Sequence, residues 1–351
     1  MTKYEELRRG LQGDSRKWLV TGAAGFIGSN LVEALLRLGQ RVVALDNFCT
    51  GHQRNLTEVR ELVGPEKWSN LQIVEGDIRN LETCQAASQG VDYVLHQAAL
   101  GSVPRSLANP VATNANNVTG FMNMIWAAQE NRVKRFVFAS SSSVYGDNTI
   151  RPTREVNLGN CLSPYAVSKR TNELYAEVFG RCYGMEFVGL RYFNVFGARQ
   201  DPDGPYAAVI PQWVSKLVRQ EPVFINGDGE TSRDFCYIAN VVQANLLAAT
   251  TQNREALNRF YNVAVGERTT LNQLLDGIRQ RLLPFYPQLA EFKPTYRDFR
   301  PGDVRHSQAN VDQAMTLLGY APTHRVEQGL DEALAWYRAD LSRSDRQVPT
   351  A

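Results

Sequence analysis

The residues best suited to acid–base chemistry are Tyr165 and Lys169, four positions apart in Ser163-Pro164-Tyr165-Ala166-Val167-Ser168-Lys169. Ser163 can cap a helix and Pro164 fits a first helical turn. The spacing therefore predicts a helix that opens here, with Tyr165 near its start and Lys169 one turn later on the same face. A free phenol has a pKa of about 10 and is a poor base at neutral pH. A nearby ammonium and the positive end of the helix both favour phenolate, which would make Tyr165 a usable proton acceptor. Tyr-x-x-x-Lys is also common on ordinary amphipathic helices, so the chemistry depends on the elements around it.

Those elements begin with Lys17-Trp18-Leu19-Val20-Thr21, a strand that runs into Gly22-Ala23-Ala24-Gly25-Phe26-Ile27-Gly28. A helix follows with Leu31, Ala34, Leu35 and Leu38 on its apolar side, then a second strand over 41–45 that ends at Asp46. Strand, glycine turn, helix, strand and acid form the context that a dinucleotide fingerprint requires. The glycines let the backbone turn tightly and approach a pyrophosphate at the positive helix end. Asp46, 24 residues after Gly22, would accept from the adenosine ribose hydroxyls and repel a 2′-phosphate, which favours NAD over NADP. Further strands are predicted over 71–75, 93–95, 135–140 and 187–192, separated by helical segments. This alternation predicts an α/β fold, a Rossmann-type doubly wound parallel sheet. Ligands of such sheets lie beyond the strand C-termini, where the sequence places Asp77-Ile78, His96-Gln97-Ala98-Ala99, Ser141-Ser142-Ser143 and Phe193-Asn194.

Composition narrows the function classes. The 351 residues are 43% hydrophobic and 21% charged, as in a soluble globular protein of one large domain and a smaller lobe. Lys+Arg 38 against Asp+Glu 36 leaves a net charge of +2, so neither nucleic acid nor an anionic membrane is an evident partner. Cys49, Cys84, Cys161, Cys182 and Cys236 are scattered, as are the four histidines. No metal site is expected, and the odd cysteine count fits a reducing compartment. The N-terminus has charges at Lys3, Glu5, Glu6, Arg8 and Arg9 and no apolar core, so it does not read as a signal peptide; a cytoplasmic location is expected. Tyr4, Leu7 and Leu11 predict a short amphipathic helix in residues 3–12, a lid over an edge of the main domain. The expected organisation is a helical extension at 1–16, an NAD-binding domain at 17–195, mainly a substrate-binding lobe at 196–342 with interleaving into the sheet left open, and a flexible tail at 343–351.

After residue 195 the regular alternation weakens. Tyr206-Ala207-Ala208-Val209-Ile210-Pro211 precedes a helix, Asn226-Gly227-Asp228-Gly229 reads as a hairpin turn, and Arg233-Asp234-Phe235 follows it. Arg300-Pro301-Gly302-Asp303-Val304-Arg305 is a rigid basic turn. Guanidinium groups match diphosphate oxygens geometrically, and surface pairing with Asp234 and Asp303 is the competing reading of Arg233 and Arg300.

Gly22-x-x-Gly25-x-x-Gly28, Asp46-Asn47, Asp77-Ile78, the Ser-Ser-Ser-Ser-Val-Tyr-Gly run at 140–146, Tyr165-x-x-x-Lys169 and Leu190-Arg191-Tyr192-Phe193-Asn194 occur in order. In this set the chain resembles the extended short-chain dehydrogenase/reductase family, and within it nucleotide-sugar 4-epimerases of the UDP-galactose/UDP-N-acetylglucosamine type. The resemblance runs from about residue 17 to residue 320. It implies a smaller mixed α/β C-terminal lobe for the substrate. It implies Tyr165 as the base, Lys169 as the lysine that binds nicotinamide ribose, and Ser141 as the catalytic serine, with Ser142 and Ser143 leaving that register open by one or two positions.

The cofactor contacts it implies are Gly22, Gly25, Phe26, Ile27 and Gly28 in the first turn, and Asp46, Asn47, Phe48, Thr50 and Gly51 after the second strand. Asp77, Ile78, Gln97, Ala98 and Ala99 follow, then Asn116, Ser140, Tyr165, Lys169 and Phe193; Asn116, among Asn114 and Asn117, equally suits a helix start. For the substrate it implies Gly101, Ser102 and Val103, then Ser141, Ser142 and Ser143. Asn194, Ala208, Val209 and Asn226 come next, with Arg233 and Arg300 as a clamp on the UDP pyrophosphate and Asp303 accepting from the uridine ribose. The implied reaction removes the O4 proton to Tyr165, helped by Ser141, as C4 gives hydride to NAD. The 4-keto sugar turns over and takes the hydride back on its other face.

Ser307 falls where related epimerases wall the hexose pocket, bulky in enzymes restricted to glucose and galactose and small in those that admit an N-acetyl group. With Ser102 in Leu100-Gly101-Ser102-Val103, this points to UDP-N-acetylhexosamines, including their uronic acids, over UDP-glucose and UDP-galactose. A 4,6-dehydratase or a decarboxylase would carry an acid between the serine and Val144-Tyr145-Gly146, and Ser142-Ser143 has none. A non-enzymatic nucleotide-sensing protein on the same fold would have little reason to keep Ser141, Tyr165 and Lys169 together. The family commonly dimerises through the helix bearing Tyr165 and the one after Gly120, where Phe121, Ile125 and Trp126 exceed what one face needs; a homodimer is expected.

Overall fold

The computed structural model describes residues 1–203, 207–299 and 304–345. The chain opens with α1 (Lys3–Gly13), β1 (Lys17–Thr21), α2 (Phe26–Arg37), β2 (Arg41–Asp46), α3 (Gln53–Trp68), β3 (Leu71–Glu75), α4 (Leu81–Ala87) and β4 (Tyr93–His96). It continues through α5 (Val103–Ala108), α6 (Pro110–Asn114), α7 (Gly120–Glu130), β5 (Arg135–Ser141), α8 (Pro164–Tyr183) and β6 (Phe187–Tyr192). Beyond these come β7 (Val195–Phe196), α9 (Val209–Val218), β8 (Phe224–Asn226), β9 (Ser232–Arg233), β10 (Cys236–Tyr237), α10 (Ile238–Thr250) and β11 (Arg259–Val263). The chain ends with β12 (Thr269–Thr270), α11 (Leu271–Leu282), β13 (Thr295–Arg297) and α12 (Val326–Asp345).

Seven strands form one parallel sheet in the order β11-β6-β5-β4-β1-β2-β3. Helices cover both faces, which is why β1, β5 and β6 are runs of apolar residues with almost no exposed position. The chain leaves β1 in one direction to β2 and β3, then returns to β4 on its other side. That reversal opens a crevice at the carboxyl ends of β1 and β4, where doubly wound sheets bind their ligands. The seventh strand, β11, comes from the C-terminal half, and the nearly all-buried α10 before it packs under β4, β5 and β6. Among the described residues the rest of that half makes three two-stranded sheets, β7 with β10, β8 with β13 and β9 with β12.

Two local expectations are corrected. Asn226 to Gly229 does turn, with Gly227 and Gly229 at φ +82 and +79, but it does not close a hairpin. The flanking strands, of three and two residues, pair instead with Thr295–Arg297 and Thr269–Thr270. Strands this short gain more from partners already fixed by α11 and its flanks than from each other. The N-terminal helix does not cover a sheet edge either. It lies on α10, because Leu11, with Tyr4 and Leu7 beside it, finds its apolar neighbours in the main core there. Gln40 fixes this end, accepting from Trp18 Nε1 at 3.0 Å and donating to the Leu11 carbonyl at 2.6 Å. Among the described residues no helix is long and apolar enough to cross a membrane.

Candidate active site

The glycine turn is built by close backbone approach. A Cβ on Gly28 would stand 2.0 Å from the Gly22 carbonyl oxygen, and one on Gly22 2.8 Å from the Ala98 amide nitrogen, with Gly22 itself at φ +66. Only glycine lets α2 start this near β1 and lets β1 reach the loop after β4. Gly25 caps α2 without a side chain, so the helix presents its first amides to the crevice. The resulting cleft of about 300 Å³ is lined by Gly22, Gly25, Phe26, Ile27 and Gly28, by Asp46, Asn47, Thr50 and Gly51, and by Ile78, Gln97, Ala98, Ala99 and Asn116. Asp46 accepts from the Ala24 amide at 2.8 Å and the Phe48 amide at 2.8 Å, which stiffens the turn around it. A tight glycine turn, next to a helix start without a side-chain cap and an acid, fits NAD.

Several sequence candidates stand apart from this cleft. Asp77 does not line the cleft itself: hydrogen bonds from Arg79, at 2.6 to 3.1 Å, and one at 2.9 Å from Asn47, which does line it, hold its carboxyl down at about 2. Phe48 is the positive-φ residue at the foot of the loop and does not line the cleft. Ser140 is spent in the interior, donating to Glu173 at 2.6 Å. Phe193 lines the cavity beyond the sheet, while Gly101, expected at the substrate, lines the cofactor cleft. Asn116 and Asn117 separate in role at a π-helical turn, Ala115–Thr119. Asn116 faces the cleft, whereas the buried Asn117 clips the Leu100 backbone at 2.7 and 3.1 Å and donates to Ser168 at 3.1 Å.

Ser163 caps α8 through the Ala166 amide at 3.1 Å, as its sequence predicts. Tyr165 and Lys169 follow on one face, with the Lys169 Nζ 5.9 Å from the Tyr165 ring centre and donating to the Ala139 carbonyl at 2.8 Å. Ser141 is the side chain whose hydroxyl acts on the Tyr165 phenol, drawing its pKa down. Ser141 accepts from the Ser143 hydroxyl at 3.0 Å, and of the three serines it is the one that acts on the tyrosine's pKa. The charge balance differs from the sequence expectation. Burial pushes the Tyr165 phenol above its ordinary value and the Ser141 hydrogen bond draws it only part of the way back. Burial likewise pushes Lys169 down to about 8. Both groups leave water when α8 packs on β5, and desolvation outweighs the attraction that spacing alone suggests.

Beyond the sheet are two adjoining cavities. One, of about 360 Å³, is walled by Ser142, Ser143, Ser163, Val103, Phe193 and Ser307. The other, of about 600 Å³, has Ser102, Ala208, Val209, Asn226, Trp213 and Phe224. Asn194 and Arg233 line both. Ser102 caps α5 through the Arg105 amide at 3.3 Å. Asn194 donates to the Asp234 carbonyl at 3.2 Å, and Arg233 to the Ser232 carbonyl at 3.0 Å. Arg300 and Asp303 lie outside the described residues, as do Tyr206 and residues 346–351.

Sequence reasoning missed two parts. Glu173 is fully buried on α8, two turns after Tyr165, and accepts from Arg191 at 2.8 and 2.9 Å, from Ser140 and from Arg170 at 2.8 Å. Arg191 then reaches Tyr145 at 3.1 Å and the Glu155 carbonyl at 2.7 Å. This network locks α8 to the ends of β5 and β6, and the eight-residue spacing from Tyr165 was its signal. Arg151, in the first of the two cavities, lies in a polar loop with no periodicity to mark it.

The pattern of the NAD dependent epimerase/dehydratase family matches residues 18–264. The chain belongs to that family. Its cofactor is NAD. A UDP-N-acetylglucosamine 4-epimerase from Methanobrevibacter ruminantium, solved with UDP-N-acetylmuramic acid, is 36% identical, with 93% of this chain and 99% of that one covered and a TM-score of 0.84. A UDP-glucuronic acid 4-epimerase from Bacillus cereus, solved with UDP-glucuronic acid and NAD, is 29% identical over 92% and 99% of the two chains, with a TM-score of 0.80. A putative UDP-glucose 4-epimerase of Methanocaldococcus jannaschii is 34% identical, covering 91% of this chain and 98% of its own.

Proposed function

We propose that this NAD-dependent UDP-sugar 4-epimerase acts on UDP-N-acetylhexosamines, including their uronic acids. The observation that carries the reading is Ser307, a small side chain in the wall of the cavity that also holds Ser142 and Ser143. A residue of this size leaves room for an acetamido group where a large aromatic one would fill the space. NAD held by the glycine turn and beside Asp46 would supply hydride-transfer chemistry at C4. Tyr165 takes the O4 proton and gives it back, and Ser141, whose hydroxyl acts on the same phenol, holds O4 in line with it. Lys169 supplies the buried cation that favours the phenolate as the proton moves. Arg233 and Asn194, common to both cavities, hold the diphosphate between the nucleoside and hexose ends.

The same reading takes the enzyme as a cytoplasmic homodimer. Val167, Leu174 and Val178 on α8 are 52%, 47% and 40% exposed, an unpartnered apolar stripe. On α7, by contrast, Phe121 and Ile125 are fully buried within the monomer and Trp126 packs on Phe179 and Tyr183, so that helix offers less to a partner than its sequence suggested.

Proton NMR of the purified protein, without added NAD, follows C4 inversion of UDP-N-acetylglucosamine and of UDP-glucose. Faster inversion of the N-acetylated sugar is expected, together with a reversal of that preference in Ser307→Tyr. Faster inversion of UDP-glucose by the unmodified protein refutes the sugar assignment.

A further inference from the structure

The hexose-side cavity is cationic beyond what a diphosphate clamp needs. Arg151 and Arg233 both line it, and among the described residues no aspartate or glutamate does. Arg151 is absent from the adjoining cavity, which takes the nucleoside end in the reading above, whereas Arg233 lines both. The two guanidinium groups grip one stretch of chain: Arg151 Nε donates to the His306 carbonyl at 2.9 Å, and Arg233 reaches the Arg305 carbonyl at 3.4 Å. Arg151 therefore stands beside Ser307, the residue next along that stretch.

Its orientation is set in advance. Arg151 Nη1 donates to the Ile150 carbonyl at 2.7 Å and to the Thr153 hydroxyl at 3.0 Å, and Thr153 is buried. With Nε and Nη1 engaged, Nη2 has no partner among the described residues. A guanidinium anchored on one side with a donor left on the other is suited to receive an oxyanion at little entropic cost.

We propose that Arg151 is a specificity residue that recognises the carboxylate of a hexuronate, so that the acidic forms of the N-acetylhexosamine substrates are the preferred ones. This rests on the reading of the cavity as the hexose subsite. Burial and the neighbouring Arg233 both press against the Arg151 charge. A carboxylate placed between them relieves the repulsion, whereas a neutral hydroxymethyl group does not. A diphosphate shared by both arginines is the competing assignment, and it predicts no discrimination between neutral and acidic sugars.

Calorimetric titration of the full-length, NAD-loaded protein with UDP, UDP-N-acetylglucosamine and the corresponding uronate separates the two. The unmodified protein is expected to bind the uronate more tightly than the neutral sugar. Arg151→Gln is expected to reduce that preference by on the order of ten- to a hundredfold, as for loss of a charged hydrogen bond. Arg151→Lys keeps much of the preference, because it keeps the charge. No preference in the unmodified protein, or the same preference in Arg151→Gln, overturns the proposal. Equal weakening of all three ligands also overturns it and assigns Arg151 to the diphosphate. The readout is binding, so failure of C4 inversion would count against the epimerase substrate reading without altering this result.

Discussion

Replacing Lys169 by methionine tests the electrostatics of the site without relying on turnover. The side chain is 3% exposed, and burial holds its ammonium at about 8 against an ordinary lysine value of 10.5. A base with a depressed folded pKa binds fewer protons folded than unfolded between those two values, so its charge costs stability below about pH 8 and the cost disappears as pH rises through the window. At about 1.4 kcal/mol per unit, the cost is about 3 kcal/mol. In protein stripped of NAD, urea unfolding from about pH 7 to pH 10.5 should show the unmodified protein gaining stability relative to Lys169→Met as pH rises. The hydrogen bond to the Ala139 carbonyl is donated by either form of the amine, so its loss is nearly a constant offset. Parallel stability curves for the two proteins would refute the claim that this lysine sits in a desolvated site.

Tyr165→Phe should lower kcat for C4 inversion by on the order of 10²–10⁴ with UDP-sugar affinity little changed; a loss seen mainly in binding by calorimetry would contradict the proton-transfer role. Glu173→Gln leaves the Arg191 guanidinium buried without its counter-ion and should cost about 3–5 kcal/mol in urea unfolding. A loss below about 1 kcal/mol would show that the network is dispensable. Gly28→Ala forces a Cβ against the Gly22 carbonyl oxygen, so α2 must shift, and the purified protein should lose bound nucleotide by its absorbance ratio; normal nucleotide content would show that the turn tolerates the methyl group.

Local chemistry made much of this molecule legible from its sequence. The strands over 17–21, 71–75 and 187–192 coincide with β1, β3 and β6, because their apolar runs and flanking turn residues are local signals. The glycine turn and the Ser163-capped helix are legible for the same reason: a backbone that must approach closely needs glycine, and a helix start needs an acceptor.

What the tertiary structure decided is where desolvation and long-range contact prevail over spacing. Tyr165 and Lys169 share a face as predicted, but their protonation is governed by burial against β5, which no spacing reports. Asp77 sits at a strand end as predicted, and its carboxylate is held by Arg79 and Asn47. Asn116 and Asn117 divide at a π-helical turn, and Arg151 joins Arg233 at a cavity wall only because residues 305 and 306 run between them. The amino-acid order fixes each local conformation. Which side chains lose water, and which charges then face each other, depends on segments brought together from distant parts of the chain.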